Sequence, residues 1–353
     1  MSKAPSIKII NHYVNDQQTA IVKPLGSGLI NDTYLVEDQE QRFVLQAINH
    51  HVFPHPRNIV ENSLTIAAHL SQKQADYPFE IMKPRASNDG LYLKECNDSD
   101  ESTAWRALEF IDDSISLERM DTPGQAWLAA NAFAKFSMAL ADLDIQTIKP
   151  IIVNFHDLTS RMQQLAIAKQ SADSNRLSNA RTLLDAFLGE TLFIDQVTAL
   201  VRELPQRVTH NDTKINNLLF DRQSMKPKAV IDLDTCMPGY LLHDFGDMVR
   251  TCCSSLAEDD ANVDAMEFKA EIFEQLMDGY LAGLDDSISN AEKHSLLVGA
   301  RLMPFIIGVR FLTDYLNDDC YFSVSRQGQN LDRAANQFKL YQLASEHVAE
   351  IKK

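Results

Sequence analysis

Residues 208–246 carry acids, an amide and a lysine between short apolar runs, a combination that suits phosphoryl transfer. Asp212 can accept a proton from a hydroxyl nucleophile, and Lys214 can offset the charge of the phosphoryl group during transfer. The amide oxygen of Asn217 is a hard neutral ligand that suits Mg²⁺, and Asp232 adds an anionic ligand. Any one of these residues alone is better explained as a cap or turn residue, so the prediction rests on their combination.

Two apolar triplets must hold these side chains in place. Residues 218–220 and 229–231 predict the two strands of a hairpin. Asp212 precedes the first strand, and Asp232 and Asp234 follow the second. Acids at the ends of rigid strands are suited to meet a metal ion and a hydroxyl group, which is what a phosphoryl-transfer site needs.

The first part of the chain predicts a small, mostly antiparallel sheet with one inserted helix. Short apolar runs indicate strands, and the apolar spacing of residues 57–70 indicates the helix. The predicted strands are residues 20–25, 32–36, 42–48, 79–82, 91–93 and 103–111. This order differs from the strict alternation of strands and helices that builds a doubly wound parallel sheet.

The rest of the chain is predicted to be mainly helical. Helical apolar spacing recurs at residues 124–143, 158–168 and 177–204, and more helices follow residue 246. The predicted fold class is therefore α+β. Its two domains are residues 1–111 and 112–353, with a hinge and a cleft between them.

Composition excludes several functional classes. The 353 residues suffice for two domains, and an apolar content of 45% excludes a disordered chain. A net charge of −16 argues against a nucleic-acid partner, and it means that a polyphosphate substrate must arrive with cations such as Mg²⁺. The sequence shows no run of about 18 apolar residues, no signal peptide and five cysteines without metal-site spacing. These features predict a cytoplasmic protein that does not enter a membrane.

The motifs resemble those of a known family. HNDTKINN at residues 210–217 has the HxDxxxxN pattern of protein-kinase-like phosphotransferases, and a strand that ends in an acid follows it. Together with IDLDTCMPG and LLHDFGDMVR, it is similar to the N-acetylhexosamine 1-kinase group of the aminoglycoside phosphotransferase superfamily. GLINDTYLV, FVLQAINHHVF, WRALEFID and GVRFLTDYLNDDCYF fit the same group, so the resemblance extends over residues 26–322.

The resemblance implies a protein-kinase-like fold with ATP between a sheet-rich lobe and a helical lobe. In that fold Asp212 is the catalytic base, and Asn217 and Asp232 are the Mg²⁺ ligands. Asp234 either meets a second metal ion or stabilises the turn. The implied reaction moves the γ-phosphoryl group of ATP to the anomeric hydroxyl group of a hexosamine. The residues with implied structural roles are His210 and Asp244, the second by holding the catalytic loop.

The nucleotide is expected to contact the glycine turn and the strands beside it. This turn lets backbone N–H groups approach phosphates, although a plain hairpin turn has the same sequence. Most kinase-like enzymes carry a lysine or arginine on the third strand, but this chain has Gln46 there, for which Arg42 or Arg57 can compensate. The candidate nucleotide contacts are Gly26, Ser27, Gly28, Asn31, Thr33, Gln46, Glu109, Phe110 and Ile111.

A sugar acceptor is expected near residues 308–322, where planar polar groups combine with aromatic rings. Arg310 and Asp314 are four positions apart on one helix face, which fits either an ion pair or a sugar site. The motif NFHDLTSR, which ends in Arg161, also fits the family pattern. The candidate acceptor contacts are Asp32, His156, Arg310, Asp314, Tyr315 and Tyr321.

Two alternatives stay open at the level of sequence. The acceptor can be another hydroxyl compound, such as an aminoglycoside, a choline-like alcohol or another sugar, and the acidic surface would suit a cationic one. The missing lysine fits a nucleotide-binding pseudokinase, although that class usually loses the base or the metal ligands, which are retained here. A protein kinase is disfavoured because 12 positions between Asp232 and Asp244 are too few for an activation segment.

Overall fold

The computed structural model describes residues 5–15, 20–26, 30–39, 41–98, 101–120, 122–285 and 287–351. The chain forms two compact units. The first contains Met1–Ile115, Ala139–Val153 and Leu218–Pro238, and the second contains Ser116–Met138, Asn154–Asn217 and Gly239–Lys353. The first unit therefore includes residues 112–115, 139–153 and 218–238, which were predicted to belong to the second domain.

A six-stranded antiparallel sheet dominates the first unit. Its strands lie in the order β1-β2-β3-β6-β4, and β5 also pairs with β6. The helices of this part of the chain are α1 (Ile7–Ile10) and α2 (Pro56–Gln72). The strands are β1 (Ile21–Pro24), β2 (Asp32–Glu37), β3 (Arg42–Ile48), β4 (Pro84–Arg85), β5 (Lys94–Asp98) and β6 (Glu101–Glu109). The structure confirms the predicted antiparallel sheet with its inserted helix.

Two of the predicted strands are wrong. Residues 79–82 form no strand; the backbone N–H of Glu80 donates instead to the carbonyl of Lys228 at 2.8 Å. Residues 91–93 are also outside any strand, because the carbonyl of Leu91 closes a turn by accepting from Ser87 N–H at 2.8 Å. Apolar content indicated an extended chain at both places, but the backbone hydrogen bonds were already used elsewhere.

The predicted hairpin is confirmed. β9 (Leu218–Asp221) and β10 (Pro227–Val230) pair antiparallel, and β7 (Ser114–Ser116) adds to β9. A further two-stranded sheet joins β8 (Arg207–Thr209) and β11 (Met237–Gly239). Leu218, Phe220 and Ala229 are fully buried, which explains why these short strands form.

The second unit is mainly helical, as predicted. The predicted helix at 177–204 is two helices, because α5 ends at Gly189 and α6 starts anew at Thr191. The helices are α3 (Pro123–Ala139), α4 (Leu158–Ser171), α5 (Ser174–Gly189), α6 (Thr191–Val201), α7 (Leu241–Cys252), α8 (Ala270–Leu284), α9 (Asn290–Leu316) and α10 (Gln329–Ile351).

Helix α9 is the centre of this unit. Ser289 and Glu292 form a reciprocal capping box at its start, which satisfies backbone donors of the first turn. Among the described residues it is the one helix that is long and apolar enough to cross a membrane, but 78% of its apolar window is buried inside the protein. That burial is what the core helix of a folded domain shows.

Candidate active site

The loop that carries Asp212 lies between β8 and β9. It ends in a short 3₁₀ helix at Ile215–Asn217. Asn211 has a left-handed backbone with φ of 61°, which is uncommon for a residue other than glycine. The carboxylate of Asp244 stabilises this turn by accepting from the backbone N–H groups of His210 and Asn211 at 3.1 and 2.7 Å.

Asp244 is fully buried in the first turn of α7. Its backbone carbonyl also accepts from Thr213 Oγ1 at 2.5 Å, so α7 holds the loop at three points. Burial raises the pKa of Asp244 to about 6, and the neighbouring His210 and the two N–H donors oppose that rise. At neutral pH this carboxyl group is therefore mainly ionised, and a negative charge binds the loop backbone.

His210 anchors the loop from the side of α3. Its ring is fully buried and packs edge-on against Phe133 and Phe136, with centroid distances of 5.7 and 5.9 Å. Nδ1 accepts the backbone N–H of Asp212 at 3.3 Å. The histidine therefore fixes the backbone next to the acid and does not itself point into an open space.

Asp212 is the partly accessible acid of this loop, with 23% of its side chain exposed. One carboxylate oxygen lies 3.0 Å from Lys214 Nζ, and the other accepts from Asn217 Nδ2 at 3.0 Å. Asn217 Nδ2 also donates to the backbone carbonyl of Asp212 at 2.8 Å. These contacts hold the carboxylate at one position, as a general base requires.

The charges around Asp212 keep it ionised. Burial favours the neutral acid, but nearby cations, above all Lys214, outweigh burial and place the pKa of Asp212 below its ordinary value. The same contact raises the pKa of Lys214 against the effect of its own burial. The loop therefore presents a carboxylate that can accept a proton and an ammonium group that can face a transferring phosphate.

A buried ion pair on α7 adds to this charge pattern, and the sequence analysis missed it. Arg250 Nε donates to Asp247 at 2.7 Å, and Arg250 Nη1 donates to Glu258 at 2.5 Å. Arg250 lowers the pKa of Asp212, whereas Asp247 raises that of Lys214. The sequence feature that could have indicated this pair is an acid three positions before an arginine among the apolar residues of this helix.

We expect the Lys214→Met variant to shift the acidic limb of the pH–rate profile upward. Removing the ammonium group leaves burial to dominate, so the pKa of Asp212 rises and the base protonates at a higher pH. The measurement is kcat/KM between pH 4 and 9 for this variant and the wild type. An acidic limb at the same pH in both proteins would contradict control of the base by Lys214.

In the first unit, several candidate nucleotide residues join one hydrogen-bonded network. Gln46 Oε1 accepts from Arg106 Nε and Nη2 at 3.0 and 2.8 Å, and Gln46 Nε2 donates to Thr33 Oγ1 at 3.0 Å. Asp234 accepts from Arg106 Nη2 at 2.5 Å and from Asn31 Nδ2 at 2.8 Å. Arg106 was not among the residues predicted to have a role. The feature that could have indicated one is its position as an arginine in the middle of an apolar strand.

The other candidate nucleotide residues lie in two places. Ser27 and Gly28 fall outside the described residues, and Gly26 has a φ of +74°, which favours glycine. Glu109 ends β6, and its backbone N–H donates to the Lys83 carbonyl at 2.9 Å. The two residues that follow it are Phe110, under the guanidinium of Arg42 at 5.2 Å, and Ile111, which is buried.

Neither arginine that the sequence analysis offered as a replacement for the lysine joins this network within the described ranges. Arg42 forms an ion pair with Asp112. Arg57 is exposed in the first turn of α2. Glu61, on the same helix, forms an ion pair with Lys149. The cation nearest to Gln46 is therefore Arg106.

One of the candidate acceptor residues, His156, contacts the loop that carries Asp212. His156 Nε2 donates to the carbonyl of Asn211 at 2.9 Å, which leaves Nδ1 as an acceptor that is buried and has no partner among the described residues. Burial and the nearby His243 lower the pKa of His156, so the ring is neutral. Phe155 stacks on this ring at 4.2 Å and also contacts Arg310, whose guanidinium lies 5.1 Å from the Phe155 centroid.

Arg310 lines an open recess in the second unit. The volume of this recess is about 170 Å³. The Arg310 guanidinium lies 5.6 and 5.3 Å from the rings of Tyr321 and Phe322. Burial lowers the pKa of Arg161 to about 10, and the charge of Arg310 adds to that effect, so the two arginines act on each other. The lining residues are Gln164, Arg310, Thr313, Asp314, Asn317, Tyr321 and Phe322.

The remaining acceptor candidates are held by other contacts. Asp314 accepts from the backbone N–H groups of Tyr321 and Phe322 at 2.8 and 2.9 Å and from Asn330 Nδ2 at 2.9 Å. The carboxylate of Asp314 therefore fixes the loop after α9. Tyr315 is buried under the guanidinium of Arg176, at 4.8 Å. Asp32 belongs to the first unit, where it is half-buried at the start of β2.

Asn217 of the second unit and Asp232 of the first unit each carry an oxygen donor of the kind that Mg²⁺ prefers. The Nδ2 group of Asn217 is used by Asp212, while its Oδ1 accepts no hydrogen bond from the part of the chain described here. Asp232 follows β10 in a left-handed conformation, with φ of 58°. Mg²⁺ commonly takes one or two carboxylates together with waters and substrate phosphates, so it needs no cage of protein ligands. Asp234 binds Arg106 and Asn31 instead, which favours the turn-stabilising interpretation.

Comparisons with known proteins agree with this architecture. A family model described as "Phosphotransferase enzyme family" (APH) matches residues 21–285. A microcompartment-associated aminopropanol kinase is similar in structure, with a TM-score of 0.65 and 18% identity over 97% of this chain and 96% of that one. An amicoumacin kinase in complex with AMP-PNP and Ca²⁺ gives a TM-score of 0.61 and 13% identity over 96% and 92% of the two chains. A choline kinase from Cryptosporidium parvum gives 0.55 and 15% over 98% and 97%.

Proposed function

Because this chain belongs to the APH phosphotransferase enzyme family, we propose that it transfers the γ-phosphoryl group of ATP to the anomeric hydroxyl group of an N-acetylhexosamine. The observation that carries the proposal is the tethered loop, which presents the ionised Asp212 beside Lys214. The complex of a similar structure with AMP-PNP and Ca²⁺ supports a nucleotide donor with a divalent cation. The resemblance of the motifs to N-acetylhexosamine 1-kinases supports the acceptor.

In the proposed reaction, Asp212 accepts the proton of the acceptor hydroxyl group as its oxygen attacks the γ-phosphorus. A new oxygen–phosphorus bond forms, the bond to the β-phosphate oxygen breaks, and ADP leaves. Lys214 faces the charge of the transferring group. A carboxylate with a lowered pKa is a weak base, and an anomeric hydroxyl group suits it because a hemiacetal is more acidic than an ordinary alcohol.

We propose Asn217 and Asp232 as the Mg²⁺ ligands. These two residues would hold the cation, and its positive charge would offset the negative charge of the phosphate oxygens. Asn217 would contribute its amide oxygen, since its Nδ2 group is held by Asp212. The protein's own part in this step is therefore to keep an oxygen donor oriented next to the catalytic base.

The recess favours a neutral acceptor over a cationic one. Arg310 and Arg161 bring two positive charges to this region, and the one carboxylate in the lining, Asp314, is occupied by backbone N–H groups. An ammonium group would meet repulsion there and find no free carboxylate in the lining. A sugar instead meets an arginine, an amide and an aromatic ring, which are the groups that bind hydroxyl and acetamido oxygens.

Amino alcohols are the second class of acceptor. This alternative is favoured by the similarity of the fold to an aminopropanol kinase and a choline kinase and by the net charge of −16. It predicts phosphorylation of choline, ethanolamine or an aminopropanol in preference to free sugars. The two cationic side chains near the recess argue against it.

An ATP-dependent product assay tests the acceptor. Its substrates are N-acetylglucosamine, N-acetylgalactosamine, their 1-O-methyl glycosides and a panel of amino alcohols. Turnover of the free sugars without turnover of the glycosides would support transfer to the anomeric oxygen. Turnover restricted to amino alcohols would overturn the sugar and keep the phosphotransferase. A lack of ATP turnover with every hydroxyl compound would favour the pseudokinase.

We expect the Arg310→Gln variant to raise the KM for the acceptor about tenfold, the effect of losing one charge-assisted hydrogen bond, while the KM for ATP stays unchanged. Steady-state kinetics with each substrate varied in turn provide the measurement. Arg301→Gln is the matched control, since Arg301 lies on the same helix and also packs over an aromatic ring, 4.4 Å from the centroid of Phe193. Equal effects of the two substitutions would contradict a role for Arg310 in acceptor binding.

A further inference from the structure

An arginine is buried in an interior strand of the first unit. Arg106 lies on β6 directly opposite Gln46 of β3 in the sheet register, and 2% of its surface is exposed. Its Nε and Nη2 groups are used by Gln46 and Asp234, while Nη1 is buried and has no hydrogen-bond partner among the described residues. A buried charged donor without an acceptor is costly and rare in folded proteins, so the lack of a partner at Nη1 indicates a ligand that binds there.

Gln46 cannot itself be the phosphate ligand in this arrangement. Its carbonyl oxygen accepts two N–H groups of Arg106, and its amide nitrogen donates to Thr33 at 3.0 Å. A lysine at this position would place a second positive charge against the guanidinium. The glutamine instead orients Arg106, so the cation beside Gln46 lies on β6 and not on β3.

The second support of Arg106 is Asp234. Its carboxylate binds Arg106 Nη2 through one oxygen and Asn31 Nδ2 through the other. Asn31 in turn accepts the backbone N–H of Asn49 at 3.0 Å. The network therefore links the start of β2, the end of β3 and the turn after β10, and its members Asn31, Thr33 and Gln46 are only half-buried.

We propose that Arg106 Nη1 is the phosphate-binding cation of this protein and binds an oxygen of the donor's polyphosphate, with Gln46 and Asp234 as its positioning residues. This inference rests on the proposed function, since it requires a nucleotide donor. The missing partner of Nη1 is then a phosphoryl oxygen. A guanidinium fixed by two acceptors has its remaining N–H groups in one plane, which suits a phosphate.

Nucleotide binding to full-length protein with Mg²⁺ tests the inference. The probes are ATP, ADP and adenosine, measured by calorimetry. The Arg106→Gln variant is expected to lose about 10- to 100-fold in affinity for ATP and ADP, as expected for a lost charge-assisted hydrogen bond. Its affinity for adenosine should stay unchanged. The double variant Gln46→Lys/Arg106→Gln, which moves the charge to β3, should recover part of the loss.

Two further variants separate phosphate binding from stability. Arg106→Lys keeps a cation beside Asp234 but lacks the forked donors, so it should fold and still bind ATP more weakly than the wild type. Arg85→Gln is the matched control, because it removes another arginine of the same sheet, which packs over Phe43 at 4.9 Å. This control should bind ATP as the wild type does.

The outcomes distinguish the two proposals. Wild-type protein that binds neither ATP nor ADP would overturn the proposed function together with this inference. Wild-type protein that prefers ATP to adenosine, with the same preference in Arg106→Gln, would overturn the role of Arg106 alone. If the Arg106 variants do not fold, the ¹⁵N resonance of the Arg106 side chain in the wild type decides. It should shift on addition of ATP and not of adenosine, and an unchanged resonance would refute the contact.

Discussion

The Asp212→Asn variant is expected to lower kcat by about 10²- to 10⁴-fold, the contribution of a positioned general base. The amide keeps the size of the side chain and can still contact Asn217, but it cannot accept a proton from the acceptor hydroxyl group. The affinity for ATP should change little, because Arg106, the proposed phosphate-binding cation, belongs to the first unit and does not depend on Asp212. Single-turnover kinetics and nucleotide titration measure the two quantities separately.

The control for this variant is Asp221→Asn. Asp221 is also an acid beside the catalytic region of the sequence, but its carboxylate caps the hairpin turn by accepting from Ser224 N–H at 2.7 Å. It should retain normal turnover. If Asp212→Asn keeps a kcat close to that of the wild type, Asp212 is not the base, whatever the acceptor turns out to be.

The sequence was sufficient to predict the elements around the loop that carries Asp212. The triplets at 218–220 and 229–231 indicated β9 and β10 because both contain buried apolar residues, which alternate with less buried ones in β9 and are consecutive in β10. The proximity of Asp212 and Asn217 could also be predicted, because residues five positions apart can meet within one local turn. The loop and its hydrogen bonds could therefore be predicted from residues that are close together in the sequence.

The network around Arg106 could not be predicted in the same way. It joins Asn31, Gln46, Arg106 and Asp234, which are separated by up to 203 positions in the chain. Only the strand register sets Arg106 opposite Gln46, and pattern alone does not fix which strands are neighbours. For the same reason, the sequence offered Arg42 and Arg57 as compensating cations. Both are closer to Gln46 in sequence than Arg106 is, but the sheet register pairs Gln46 with Arg106.

The close packing between α7 and α9 could not be predicted from the sequence either. Gly246 and Gly299 lie where these two helices touch, and the residues beside them in the sequence do not indicate such a contact. A Cβ atom on Gly299 would lie 2.8 Å from the carbonyl carbon and 3.0 Å from the Cα atom of Leu242, with the carbonyl oxygen closer still. Glycine is required here for contact between two backbones and not for a special φ angle.

We expect the Gly299→Ala variant to lower the free energy of unfolding by about 3 kcal/mol or more, at the upper end of overpacking effects. The added methyl group meets backbone atoms of α7, which cannot turn away as a flexible side chain would. Helix α7 must then shift, and it carries Asp244, the carboxylate that binds the loop beside Asp212. Activity should therefore fall together with stability. Thermal unfolding measures the stability, and steady-state kinetics measure kcat.

The matched control is Gly124→Ala. Gly124 also lies in a helix, but apart from its chain neighbours and the backbone of its own helix, no atom lies within 4 Å of the position that its Cβ would take. This substitution should leave stability unchanged or raise it by up to about 1 kcal/mol through the unfolded chain. Equal unfolding temperatures of the two variants would show that α7 and α9 can separate at little cost. A stable Gly299→Ala variant with reduced kcat would instead show that the shift of α7 is absorbed by the loop that holds Asp212.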